Sequence, residues 1–92
     1  MTVYEERDYE FYMEKGNNFL DTAEKFYEEK NLSNAIKSFY YASINFEMAK
    51  GIAEKVLDIG LQLNAKDKEF YCLEKIDELQ QFKNTNLDEY VR

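Results

Sequence analysis

Apolar residues recur along this chain at intervals of three and four, and the longest such run frames the rest. Ala35, Phe39, Ala42, Phe46, Ala49, Ala53, Val56, Gly60 and Leu63 follow one another without a slip, which is the spacing of a heptad seam on one helix face. No proline interrupts them, so the pattern predicts one helix over 33–64, roughly 45 Å long at about 1.5 Å per residue. Upstream, Tyr9, Tyr12, Gly16, Phe19, Ala23 and Phe26 alternate in the same way and predict a helix over 3–29. Thr2-Val3-Tyr4-Glu5 has the spacing in which a hydroxyl and a carboxylate reciprocally cap a first turn. Gly16-Asn17-Asn18 is the soft point of that helix, because glycine costs about 1 kcal/mol against alanine in a helix interior and asparagine favours turns. Downstream, Phe70, Leu73, Ile76, Leu79 and Phe82 recur every three residues and predict a third helix over 68–83, entered through a turn at Asn64-Ala65-Lys66-Asp67.

Lys30-Asn31-Leu32 reads as a tight turn, with Asn31 or Ser33 capping the second helix. The first two helices are then antiparallel neighbours, and facing residue numbers sum to about 61 or 62. Phe26 meets Ala35, Ala23 meets Phe39, Phe19 meets Ala42, Gly16 meets Phe46, Tyr12 meets Ala49 and Tyr9 meets Ala53. Large faces small at every layer, which fills space without voids or strain. Gly16 is explained by the room that Phe46 needs. With sums near 131, helix three would set Leu73 against Ile59, Leu79 against Ile52 and Phe82 against Met48. The expected fold is all-α, an up-down-up three-helix bundle over 1–83 with a polar tail over 84–92. In that arrangement helix three covers mainly the carboxy-terminal half of helix two. Leu20, Tyr27, Ile36, Tyr40, Tyr41 and Ile44 near the first turn are left without cover and are the candidate partner-binding residues. Leu87, Tyr90 and Val91 of the tail are the alternative cover, folding back over Ile44 and Tyr41.

Composition narrows the chemistry. A chain of 92 residues forms one small domain with a single core, and its seven Phe and eight Tyr supply that core with aromatic rings. Nineteen acidic against twelve basic side chains give a formal charge of −7, which repels phosphate backbones and argues against nucleic acid. The single cysteine, Cys72, permits no internal disulfide and suits a reducing cytoplasm; next to a small Gly60 it reads as a packed thiol. No apolar run approaches the roughly 20 residues of a membrane span, and the start of the sequence lacks the signature of a secretory leader. Histidine is absent, which removes the commonest general base and the commonest zinc ligand. Three scattered glycines make no phosphate-cradling loop. Glu24 with Glu28, and Glu74 with Glu78, share helix faces with lysines beside them and read as solvated surface. The expectation is a non-catalytic protein-interaction or scaffold module, without cofactor or metal, that binds a protein partner or forms a homodimer. The competing class is a carboxylate-based metal-binding protein or an enzyme using only Asp, Glu and Tyr.

Two resemblances centre on the first turn. Ala23, Phe26, Tyr27, Leu32, Ala35, Ile36, Phe39 and Ala42 stand at positions that resemble one tetratricopeptide unit. The chain departs from it with Lys30-Asn31 where Gly-Asp is favoured, Thr22 for Leu, and Glu47 for the closing proline, and no second copy follows. The microtubule-interacting-and-trafficking domain, another three-helix bundle, is similar in pattern. The stretch from Phe26 to Ala35, then Tyr41-Ala42, Phe46-Glu47 and Ile59-Gly60-Leu61, more closely resembles a domain-of-unknown-function family of small archaeal proteins built on a long helical hairpin. That likeness spans about half the chain and implies the hairpin fold, with no activity to carry over.

Overall fold

Two turns of the same design fold the chain. After the first helix, the Asn31 N–H donates to the Phe26 carbonyl at 2.9 Å and the Lys30 N–H to the Tyr27 carbonyl at 3.0 Å. After the second, Asp58 donates to Ala53 at 3.0 Å and Leu57 to Glu54 at 3.1 Å. Each is the paired-bond helix stop that satisfies the last orphan carbonyls, with one residue in the left-handed region. Those residues are Lys30 (φ 62°) and Leu57 (φ 59°). The next residue then caps the following helix. The Asn31 carboxamide oxygen accepts from the Asn34 N–H at 3.4 Å, and the Asp58 carboxylate accepts from the Leu61 N–H at 3.1 Å.

These turns join α1 (Val3–Glu28), α2 (Leu32–Lys55) and α3 (Ile59–Val91) in an up-down-up bundle. The computed structural model describes the backbone of residues 3–91 and the side chains of 4–84; no strand occurs among the described residues, and Thr2, the expected capping hydroxyl, lies outside them. The molecule is a rod of 57 × 19 × 13 Å. α1 runs unbroken through Gly16-Asn17-Asn18.

The α1–α2 register is the expected one. A Cβ built on Gly16 would lie 2.6 Å from Phe46 Cε1, and the Phe19 and Tyr41 rings stand 5.5 Å apart. Tyr9, Ala23, Ala35, Phe39, Ala42, Phe46, Ala49 and Ala53 are buried, with Tyr12, Phe19 and Phe26 packed against them.

The α2–α3 register differs from the expected one, because α2 stops at Lys55 and does not run to 64. Val56, Gly60 and Leu63 leave the α2 seam, and Asn64-Ala65-Lys66-Asp67 lies inside α3, where Ala65 is fully buried. The turn moves from about 65 to about 57, so facing residues sum to about 115 instead of 131. Lys50 pairs with Glu69 (3.1 Å), Gln62 bonds the Ala53 carbonyl (3.4 Å) and Lys83 reaches Ser33 (2.9 Å). Leu73 and Ile59 therefore share one helix, Phe82 lies at the first turn far from Met48, and Leu79 is no partner of Ile52. Ala65, Cys72 and Leu79 form the α3 core with Leu61 and Ile76 half-buried beside them, while Phe70, Leu73 and Phe82 are exposed. α3 also continues past the expected end at 83 to Val91. The side chains of Leu87, Tyr90 and Val91, expected as cover for Ile44 and Tyr41, lie outside the described residues.

α1 and α3 run parallel on one side of α2 and are tied by long polar side chains. The Tyr9 hydroxyl donates to the Leu61 carbonyl at 3.1 Å, Lys68 to Asn17 at 2.9 Å and the Tyr71 hydroxyl to Glu24 at 3.4 Å. Among the described residues no helix is long and apolar enough to cross a membrane.

Candidate functional site

Where α1 ends and α3 passes the first turn, the two helices leave an open cleft of about 780 Å³ lined by Tyr27, Leu32, Leu79 and Phe82, with Glu28, Lys30 and Glu78 around them. The turn builds it. The left-handed Lys30 reverses the chain immediately after Tyr27, Leu32 opens α2 beside it, and the α2–α3 register brings Leu79 and Phe82 level with the start of α2. Leu79 is buried at its base, whereas Tyr27 and Phe82 remain 51% and 56% exposed. Tyr27 and Glu28 also border a smaller recess, about 240 Å³, whose other walls include Glu24, Phe39, Tyr71 and Lys75. Lys75 is held by Glu78 at 3.4 Å and sits 5.7 Å from the centre of the Tyr71 ring.

The six candidate residues do not form one patch. Tyr27 alone of the six lines the cleft. Leu20 and Ile36 are half-buried against the core, because α3 covers the first turn that the expected register left open. Tyr40, Tyr41 and Ile44 are exposed elsewhere on α2, with the two tyrosine rings 6.2 Å apart. Ile44 and Tyr40 extend by the same four-residue spacing to exposed Met48, so they mark the helix face turned away from α1 and α3. Leu32, Leu79 and Phe82, the rest of the cleft's apolar lining, are not among the residues that the sequence pattern marks as a site. Leu79 is core, as its spacing predicts, and also forms the base of the cleft; Phe82, expected in the core on the same spacing, is exposed, and only the position of the second turn separates the two.

Cys72 is fully buried in α3, a packed thiol as expected, although its neighbour is not Gly60, which lies exposed on the same helix. Burial first, then the negative charge of Glu24, pushes the thiol up to about 11 from 9.0. Burial also raises the Tyr9 hydroxyl, against an opposing hydrogen bond from Asn64, and the Tyr71 hydroxyl, with the Glu24 charge adding to it. All three groups hold their protons more tightly when folded. The unfolded chain therefore releases protons first as pH rises, and each group lowers stability above its ordinary value; for Cys72 the loss begins near pH 9 and is complete once its folded value of about 11 is passed. For Cys72 this amounts to about 3 kcal/mol. A thermal-melt series should be flat from pH 6 to 8 and decline above 9, and Cys72→Ala should remove part of the decline. An identical alkaline slope in that variant would exclude the thiol as its source.

The chemistry of the cleft is that of its walls, apolar and aromatic with mixed charge around them. No family model, curated protein or solved structure matches this chain. Among the described residues, no group of three or more Cys, Asp or Glu side chains is placed to hold a metal ion. Within the cleft itself, Glu28, Lys30 and Glu78 accompany a tyrosine and three apolar side chains. Such a surface suits a partner's apolar side chain with polar groups at its edge.

Proposed function

We propose that this chain is a non-catalytic protein-interaction module whose cleft beside the α1–α2 turn receives apolar side chains of a partner helix. The observation that carries this reading is the pair of half-exposed aromatic rings, Tyr27 and Phe82, flanking a cleft based on buried Leu79. A small helical domain has other places to put two large rings, and leaving both wet at one concavity is the arrangement that interfaces use. Tyr40, Tyr41 and Ile44 supply a second contact strip on α2, whereas Leu20 and Ile36, half-buried against the core, lie outside the cleft's lining. The charge of −7 favours a protein partner over nucleic acid, and the lone buried thiol agrees with a cytoplasmic site of action.

A photo-crosslinking residue placed at position 82 of the full chain, expressed in its native cells, tests the reading. One adduct of constant mass is expected, lost on Tyr27→Glu and absent when the crosslinker stands at exposed Lys37. Equal adducts from both positions, or none from 82, would overturn the cleft as a partner site. Tight stoichiometric metal binding in a calorimetric titration of the purified chain would overturn the non-catalytic class in favour of carboxylate metal chemistry.

A further inference from the structure

α3 carries a second apolar surface that neither the core nor the cleft uses. Ile59, Leu63, Phe70 and Leu73 are 69%, 52%, 49% and 43% exposed. At about 100° per residue they fall within an arc of roughly 80°, more than a third of a turn around the helix from Phe82. Their spacing of four, seven and three is that of a coiled-coil seam, with Lys66 occupying the intermediate seam position. From Lys66 the side chain reaches along the stripe, its Nζ 5.4 Å from the centre of the Phe70 ring.

We infer that this stripe pairs with the same stripe of a second copy, antiparallel, about a two-fold axis passing between Lys66 and Asp67. The placement is self-complementary, as a two-fold interface requires. Leu63 and Phe70 stand equally far on either side of that point, and Ile59 and Leu73 lie within one residue of equal distance, so each apolar side chain of one copy meets one of the other. Charge selects the direction. A parallel pair would set Lys66 against Lys66, whereas the antiparallel pair sets each Lys66 against the partner's Asp67.

Sedimentation equilibrium of the full chain decides the matter. The wild type should sediment as a dimer, twice the 11.0 kDa chain mass. Phe70→Glu should weaken association by roughly 30-fold or more, with helicity and melting of the monomer retained because the ring is half in solvent. K66D and D67K should each weaken the dimer by setting like charges across the axis, and the double exchange should restore it. Phe82→Glu, in the cleft, should leave it intact. A wild type that stays monomeric at millimolar concentration overturns the inference and leaves the stripe to a foreign helix. So does a dimer lost with Phe82→Glu and kept with Phe70→Glu, or a double exchange that restores nothing. The cleft reading survives any of these results, since its residues lie on the other side of α3.

Discussion

Gly16→Leu should lower the melting temperature, although leucine is the better helix former by roughly 0.8 kcal/mol. The first added carbon already meets Phe46, with ring carbons at 2.6, 2.8 and 2.9 Å from its position. The ring has little room to retreat. Phe46 is fully buried, its centre lies 5.8 Å from Lys68 Nζ, and Lys68 is itself held by Asn17. Overpacking of this kind costs about 1 to 3 kcal/mol, which exceeds the propensity gain over most of its range, and a net 1 kcal/mol corresponds to about 4 to 8 °C in a domain of this size. Phe46→Ala alone should cost about 3 to 5 kcal/mol. Combined with Gly16→Leu, the leucine occupies the vacated space, and the pair should lose less than the sum of the two. Gly51 is the internal control. It is exposed on the neighbouring helix with nothing within 4 Å of an added Cβ. Gly51→Ala should stabilise by about 1 kcal/mol. Opposite signs at the two glycines, read by thermal melts of the four variants, establish the α1–α2 register; a Gly16→Leu chain more stable than wild type would refute it.

That register was legible in the sequence because it is written twice, once on each helix, as large residues on one side and small ones on the other. Gly16 opposite Phe46 is meaningful only when both lists are read together. The second turn had no such redundancy. The four-and-three spacing of Ala53, Val56, Gly60 and Leu63 runs on through it, and neither glycine nor proline occupies its left-handed position. A leucine does, at φ 59°, against the steric preference of a side chain with a Cβ. The remaining local signal was Asp58 three residues before Leu61, the spacing of an amino-terminal cap. The α2–α3 sums therefore differ from the expected ones by about 16, and of the expected inner face of α3 only Ile76 and Leu79 stay inside. Ala65, expected in a turn, is core; Cys72 is packed as expected but away from Gly60; and the bulky Phe70 and Leu73, expected in the core, are exposed. The candidate site inherited the same displacement, since which side chains are uncovered at the first turn depends on how far α3 reaches. Tyr27 kept its place because it belongs to the hairpin alone. Leu20 and Ile36 lost theirs because they depended on α3 being absent.

Two phenylalanines near that end separate what holds the fold from what the cleft offers, and they should respond in opposite ways. Phe39 is 2% exposed, projects from α2 between the other two helices, and meets Tyr71 edge to face at 6.4 Å and 70°. Phe39→Ala removes a buried ring from the layer where all three helices meet. The expected cost is about 3 to 5 kcal/mol, a large share of the roughly 5 to 14 kcal/mol available to 92 residues, so the melting temperature should drop by more than 12 °C or so. Phe82 is the same residue type in a different setting. With 56% of its surface in solvent, it contributes little burial, and Phe82→Ala should shift stability by no more than about 1 kcal/mol. If the cleft holds a partner, however, the exposed ring becomes buried on binding, and its truncation should cost about 2 kcal/mol or more of affinity, near 30-fold. Denaturant melts of both variants, set beside the crosslinking yield from position 27 in the Phe82→Ala chain, read the two effects separately. A Phe82→Ala variant as unstable as Phe39→Ala would make the ring part of the core and the cleft a packing gap. Unchanged stability with crosslinking abolished is the result that assigns Phe82 to recognition.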